Sequence, residues 1–312
     1  MPVWGLVLAF LTAAAWALSP IFMKEGLKAG AGPNEVNPIR SIGYLLTMTL
    51  AMFVLQPGKW PYLTYFLIAG LFINVGTSAV IGDLMYICAI DKIGASLAVS
   101  VSSGYPLVTT IFSIILLGEE IGILVWAGTV LIICGILVIR YDATRRENEE
   151  KAPQYDVNFK ETRTEKLKGI FLALAAAVLW GANIPFLKRM MIVGDWTPVE
   201  SYFLRSTVFF VLVWALRLVQ GRKFAGSVIP LESLPLRAWG GFMCSGVIGV
   251  ALGGIAFAMC IQVLPVSVVT PITASSPFMT VLISRILFKE KLSRLQAIGV
   301  VLVIAGSIGV SL

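Results

Sequence analysis

Apolar residues in this chain run in long unbroken blocks, with polar positions confined to the short intervals between them. "GLVLAFLTAAAWALSPIF" (residues 5–22) is one such block. A helix needs about 20 apolar residues to cross about 30 Å of hydrocarbon, and ten stretches qualify: 3–23, 35–55, 62–90, 95–117, 122–139, 168–187, 199–219, 236–263, 266–288 and 295–312. They are uniformly apolar rather than alternating, which predicts helices and not barrel strands. The third and eighth are long enough to demand tilt or interfacial turns. One interval differs: "RYDATRRENEEKAPQYDVNFKETRTEK" (140–166) is dense in both charge signs and reads as a solvated linker. The expected fold is an all-α integral membrane protein with ten transmembrane helices. Its expected organisation is a five-helix unit over 1–140, a charged linker over 141–166 and a second five-helix unit over 167–312.

The two units are copies. Shifted by 164 positions, Gly5, Leu8, Ala9, Trp16, Phe22 and Lys24 fall on Gly169, Leu172, Ala173, Trp180, Phe186 and Lys188. A shift of 165 lays Pro33, Glu35, Arg40 and Ser41 on Pro198, Glu200, Arg205 and Ser206. A shift of 171 lays Gly70, Gly82, Ser96, Pro106, Glu119, Gly128 and Gly135 on Gly241, Gly253, Ser267, Pro277, Glu290, Gly299 and Gly306. Leu and Val coincide easily between apolar helices; Trp, Arg, Pro and Glu in register do not. Because five is odd, the second copy enters the membrane from the opposite side. That makes an inverted repeat, the architecture of many secondary transporters.

Composition agrees: 58% hydrophobic, 13% charged, mean hydropathy +0.89, against about 25% charged in soluble domains. The lipid bilayer is the expected solvent. There is no His, and Cys88, Cys134, Cys244 and Cys260 lie inside apolar runs without CxxC spacing, so neither a metal site nor a cofactor is expected. No phosphate-cradling GxxxxGK[ST] motif is present, which leaves no basis for ATP-driven pumping. "MPVWGL" has no basic leader region, so the first apolar stretch is expected to be retained.

Basic residues distribute unevenly. The loops on the side of the N-terminus carry Lys59, Lys188 and Arg189; the opposite loops carry 18 of the 24 Lys and Arg. Cationic loops stay in the cytoplasm, which predicts both termini outside and the 140–166 loop inside. The net charge of +7 is accounted for by this anchoring and by anionic headgroups, without nucleic acid.

Asp83, in "VIGDLMYICAI", is a carboxylate within an apolar span, and its repeat counterpart is Gly254. Such a group is expensive in lipid and marks a proton-coupling candidate; the structural alternative is pairing with Lys24 or Arg40. Arg40 and Arg205 stand about two turns into their helices, as anchors for a carboxylate or phosphate or as scaffold. A further expectation is a pair of latches, Arg40 with Glu290 and Arg205 with Glu119. Trp16 and Trp180 lie away from the interfacial belt, followed one turn later by Ser19 and Asn183. Tyr44, Tyr86, Ser103, Tyr105, Tyr202 and Ser275 complete the candidate lining. Pro106 and Pro277 should kink the fourth and ninth helices. Gly128, Gly135, Gly299 and Gly306 should permit close packing, with a homodimer contact as the other use of that face.

"LWGANIPFLK" (179–188), the second helices opening on Arg40 and Arg205, and the fourth helices running from a central Pro to Glu119 or Glu290 resemble the EamA-type members of the drug/metabolite transporter superfamily over the whole chain. The first repeat departs from the pattern, with "WALSP" where Trp-Gly is common. The resemblance implies a prokaryotic cytoplasmic-membrane carrier, often an exporter, in which the first four helices of each half line a cavity. Many such relatives are read with their termini inside, against the charge count here. The expected function is secondary active transport of a small polar metabolite, such as an amino acid or organic anion, by alternating access and with proton coupling. The rivals are a carrier of phosphorylated or nucleotide-linked sugars, which would want more buried cations, a lipid-linked flippase, and an integral membrane enzyme or scaffold.

Overall fold

The computed structural model describes all residues except 32, 151–162, 224–228, 280–281 and 284–292. Among the described residues the chain is helical throughout its secondary structure. The helices are α1 (Val3–Lys28), α2 (Pro33–Leu55), α3 (Tyr65–Val75), α4 (Asp83–Ser102), α5 (Tyr105–Leu117) and α6 (Ile123–Glu150) in the first repeat. In the second they are α7 (Arg163–Gly194), α8 (Pro198–Lys223), α9 (Leu236–Cys244), α10 (Gly253–Val263), α11 (Val266–Ala274) and α12 (Arg294–Ser311). Nine of the described helical stretches are long and apolar enough to cross a membrane. The expected ninth span, 266–288, falls partly outside the described residues.

The excess length of the third and eighth spans has a cause. α3 and α4 are joined by a π-helical segment, Gly76–Gly82, and α9 and α10 by another, Ser245–Leu252. A π segment bonds i to i+5, widens the helix and is common at functional positions.

Three boundaries differ from expectation. A loop was expected at 91–94, but α4 runs through it to Ser102. The second repeat does break at the equivalent place, because Pro265 cannot donate a backbone bond and forces Leu264 into an extended conformation (φ −119°, ψ 156°). In the first repeat Gly94 stands there instead. The expected kinks at Pro106 and Pro277 are complete breaks. Ser103 and Gly104 form a turn, and Pro106 sits in the first turn of α5, where its missing N–H is harmless. The second repeat turns at Ser275, with Pro277 in the helical turn 276–279. Finally, α6 continues into the charged stretch as far as Glu150.

The chain forms two compact units, and they are not the two repeats. One contains residues 77–186 and 265–312; the other contains 2–76 and 187–264. In the first unit α6 and α12 cross at glycine pairs. A Cβ on Gly128 would lie 2.6 Å from Gly306 O, and one on Gly135 2.6 Å from Gly299 O. The expected close packing therefore joins the fifth helix of one repeat to the fifth of the other. In the second unit α2 meets α8 at Tyr44 and Phe209, themselves repeat equivalents, with ring centroids 6.3 Å apart. In the first turn of α2, Glu35 is almost fully buried. It accepts a bond from Ile229 N (3.0 Å) and pairs with Arg217 (3.6 Å), whose Nη2 donates to Ile229 O. Glu200, its counterpart, instead closes a local capping box with Thr197 at the start of α8 (2.7 and 3.2 Å).

Candidate functional site

The expected lining residues fall into two clusters, one in each unit. In the first unit the Trp180 indole N–H donates to Ser78 O (3.1 Å), a carbonyl of the π segment, and to Asp83 Oδ1 (3.2 Å). The Tyr86 ring stands edge-on to Trp180 with centroids 5.1 Å apart. One turn along α7, Asn183 donates to Thr77 Oγ1 (2.8 Å) and to Leu179 O. Asp83 is thus the first residue after the π segment, held by an indole from the other repeat. Gly82, just before it, leaves room for that indole: a Cβ there would lie 2.9 Å from Trp180 Nε1.

Also in this unit are the two interrupted fourth helices. Tyr105 and Ser103 flank one break, and Ser275 stands at the other, its hydroxyl donating to Ile272 O (2.6 Å). Thr109, one turn into α5, donates to Gly181 O (3.0 Å), which ties α5 to α7. Glu119 accepts from Val266 N (2.7 Å), Ser267 N (3.1 Å) and Ser267 Oγ (2.7 Å). A carboxylate at a helix N-terminus satisfies otherwise unpaired N–H groups and complements the helix dipole. Glu119 therefore caps α11 from the other repeat. Glu290, its expected counterpart, lies outside the described residues.

In the second unit Arg205 donates through Nη1 to Asn74 Oδ1, and its guanidinium lies 5.5 Å over the Tyr202 ring. Tyr202 meets Tyr44 edge-on at 6.3 Å. Both tyrosines are buried, so this is a packed cationic and aromatic cluster. Gly254 explains why Asp83 has no acidic counterpart: a Cβ at Gly254 would lie 2.0 Å from Tyr202 Cε1. Trp16 packs on Phe257 with centroids 5.3 Å apart, and Ser19 shares a hydrogen bond with Ser245 (2.7 Å). Arg40 is half-buried, and its carbonyl oxygen presses on Gly246.

Sequence reasoning did not single out Ser245, Thr77, Ser78 or Phe257. The repeat register would have found some of them. Phe257 is the counterpart of Tyr86 and Ser245 of Asn74, so both Trp residues have an aromatic partner at the same repeat position. Among the described residues no three acidic or cysteine side chains converge as a metal site would require.

One solved structure, titled "Crystal structure of protein", superposes with a TM-score of 0.74 at 16% identity, over 99% of this chain and 98% of that one. At that identity the likeness is one of fold. No curated protein matches the chain significantly. The model of the EamA-like transporter family matches twice, over residues 3–141 and 167–312. With interleaved repeats, membrane-length helices and a family match over nearly its whole length, this multi-pass membrane protein belongs to the EamA-like transporter family.

Proposed function

We propose that the protein is a secondary carrier of a small polar metabolite bearing an anionic group, such as an amino acid or organic anion. It exports or exchanges that metabolite across the cytoplasmic membrane of a prokaryote by alternating access, driven by protons. The observation that carries this reading is Asp83: a carboxylate within a membrane-spanning helix, bonded to Trp180 at the end of a π segment. Protonation would neutralise it and weaken its hold on the indole N–H. Arg205, stacked on Tyr202, supplies the positive charge that favours an anionic substrate group. The basic loops opposite the N-terminus support a cytoplasmic 140–166 loop.

The test is purified protein in liposomes, given amino acids and organic anions under an imposed pH gradient. Gradient-driven flux of one class, lost in Asp83→Asn while exchange persists, is the expected result. Flux indifferent to the gradient and unchanged in Asp83→Asn would remove proton coupling through this residue.

A further inference from the structure

The two compact units divide the chain at three internal places: Gly76–Thr77, Phe186–Leu187 and Leu264–Pro265. The first is the leading edge of the π segment in the third helix. The second lies one residue beyond Pro185, inside α7. The third is the Pro-enforced break before α11. Each has a repeat counterpart: Val247–Ile248, Phe22–Met23 and Ile93–Gly94. None of these counterparts is divided; each lies within one unit. Yet each carries the same mechanical weakness. Val247–Ile248 lies in the π segment Ser245–Leu252. Phe22–Met23 follows Pro20, which removes a helical hydrogen bond in α1. Gly94 occupies the Pro265 position, and glycine leaves helical geometry readily. Six weak points therefore exist as three pairs, and this conformation uses one member of each.

We infer that the transport cycle exchanges the two members of every pair, so that four half-helices change units and the rest stay. This rests on the alternating-access reading. Residues 2–22 and 248–264 now belong with 23–76 and 187–247, and they leave together. Residues 77–93 and 166–186 now belong with 94–141 and 265–312, and they take the opposite course. Each travelling couple has its own internal fastening. Trp16 on Phe257, with Cys260 Sγ bonded to Gly5 O (3.5 Å), holds one. Trp180 on Tyr86, with Asn183 bonded to Thr77 Oγ1 (2.8 Å), holds the other. These contacts persist through the cycle. Contacts from a couple to a stationary part are made and broken, and Ser19 to Ser245 (2.7 Å) is one of them. The repeated Trp-to-aromatic contact is thus a fastener within each moving couple.

Spin-label distances separate the two kinds of contact. In a variant with the four cysteines replaced, labels at Leu11 and Met259 lie within one couple; labels at Leu11 and Leu50 span couple and stationary part. All three positions are exposed. The second conformation is favoured by moving the break, with Gly94→Pro and Pro265→Gly together, or more gently by Glu119→Gln, which weakens the cap on α11. Measured in lipid nanodiscs, the Leu11–Leu50 distance should gain a new component in either variant while Leu11–Met259 keeps a single one. A Ser19→Cys, Ser245→Cys disulfide added to Glu119→Gln should abolish the new component, and reduction should restore it. Glu119→Gln keeps an acceptor oxygen facing Val266 N and Ser267 N, and it carries the test where the double exchange does not fold. If Leu11–Leu50 stays single in Glu119→Gln, or Leu11–Met259 shifts with it, the exchange is wrong. The readout needs no substrate, so absence of transport with switching distances would sink the carrier reading alone.

Discussion

Gly241, Gly246 and Gly249 bed the eighth membrane span, α9 through α10, directly on α1 and α2. A Cβ at Gly246 would stand 2.3 Å from Arg40 O, and one at Gly241 2.7 Å from Phe22 O. The third helix, its repeat equivalent, is held differently. A Cβ at Gly76 would find only Leu212, at 3.9 Å, and the bonds to Trp180 and Asn183 are made by side chains. Backbone-to-backbone packing through small residues is the tight mode of helix association in lipid, and side-chain bridges are the adjustable one. One duplicated element has therefore become a bedded helix in the second repeat and a bridged helix in the first.

The same contrast extends to the paired acids, and breaking it there should have the largest effect. Glu35→Ala strands Arg217, which is nearly buried, and should lose about 3–5 kcal/mol. Glu200→Ala removes one cap and should lose about 1 kcal/mol. The midpoint of thermal unfolding in detergent should fall several times further for the first; equal shifts would deny that the two positions differ. Next, Gly246→Ala forces a methyl group onto the Arg40 carbonyl and should destabilise by about 1–3 kcal/mol. Gly76→Ala has room and gains helix propensity, so it should be neutral or stabilising by up to about 1 kcal/mol. A common loss in both would mean that the third helix is as tightly bedded as the eighth. The smallest effect is expected at the tryptophans. Trp180→Phe keeps the ring but loses the bonds to Ser78 and Asp83, about 0.5–1.5 kcal/mol. It should also alter how flux depends on pH, whereas Trp16→Phe, which retains its stacking on Phe257, should leave that profile in place.

Much of this was legible beforehand because lipid admits few solutions. Uninterrupted apolar stretches give membrane helices, and matched Trp, Arg, Pro and Glu expose the duplication. The π segments were not legible: "GTSAVIG" and "SGVIGVAL" have no helix-breaking Pro and read as ordinary span interior. The breaks at Gly104 and Ser275 were misread as kinks, because a proline in a first turn and one in a helix interior look alike without knowing where the helix starts. Asp83 and Trp180 could be named separately, but not as partners. Their bond joins residues 97 apart, from different repeats, and no local pattern encodes such a distance. The unit boundaries were equally hidden. They cut through the third helix and through α7, which continuous apolarity presents as single objects.

The crossing of α6 and α12 is reciprocal: Gly128 meets Gly306, and Gly135 meets Gly299. Neither half of the chain buries that face alone, so each is an unfinished protein whose missing surface is supplied by its sibling. Two polypeptides, 1–150 and 163–312, produced in the same cell should consequently find one another and restore activity. A bulky residue at Gly128 in one fragment would then prevent assembly with an otherwise intact second fragment.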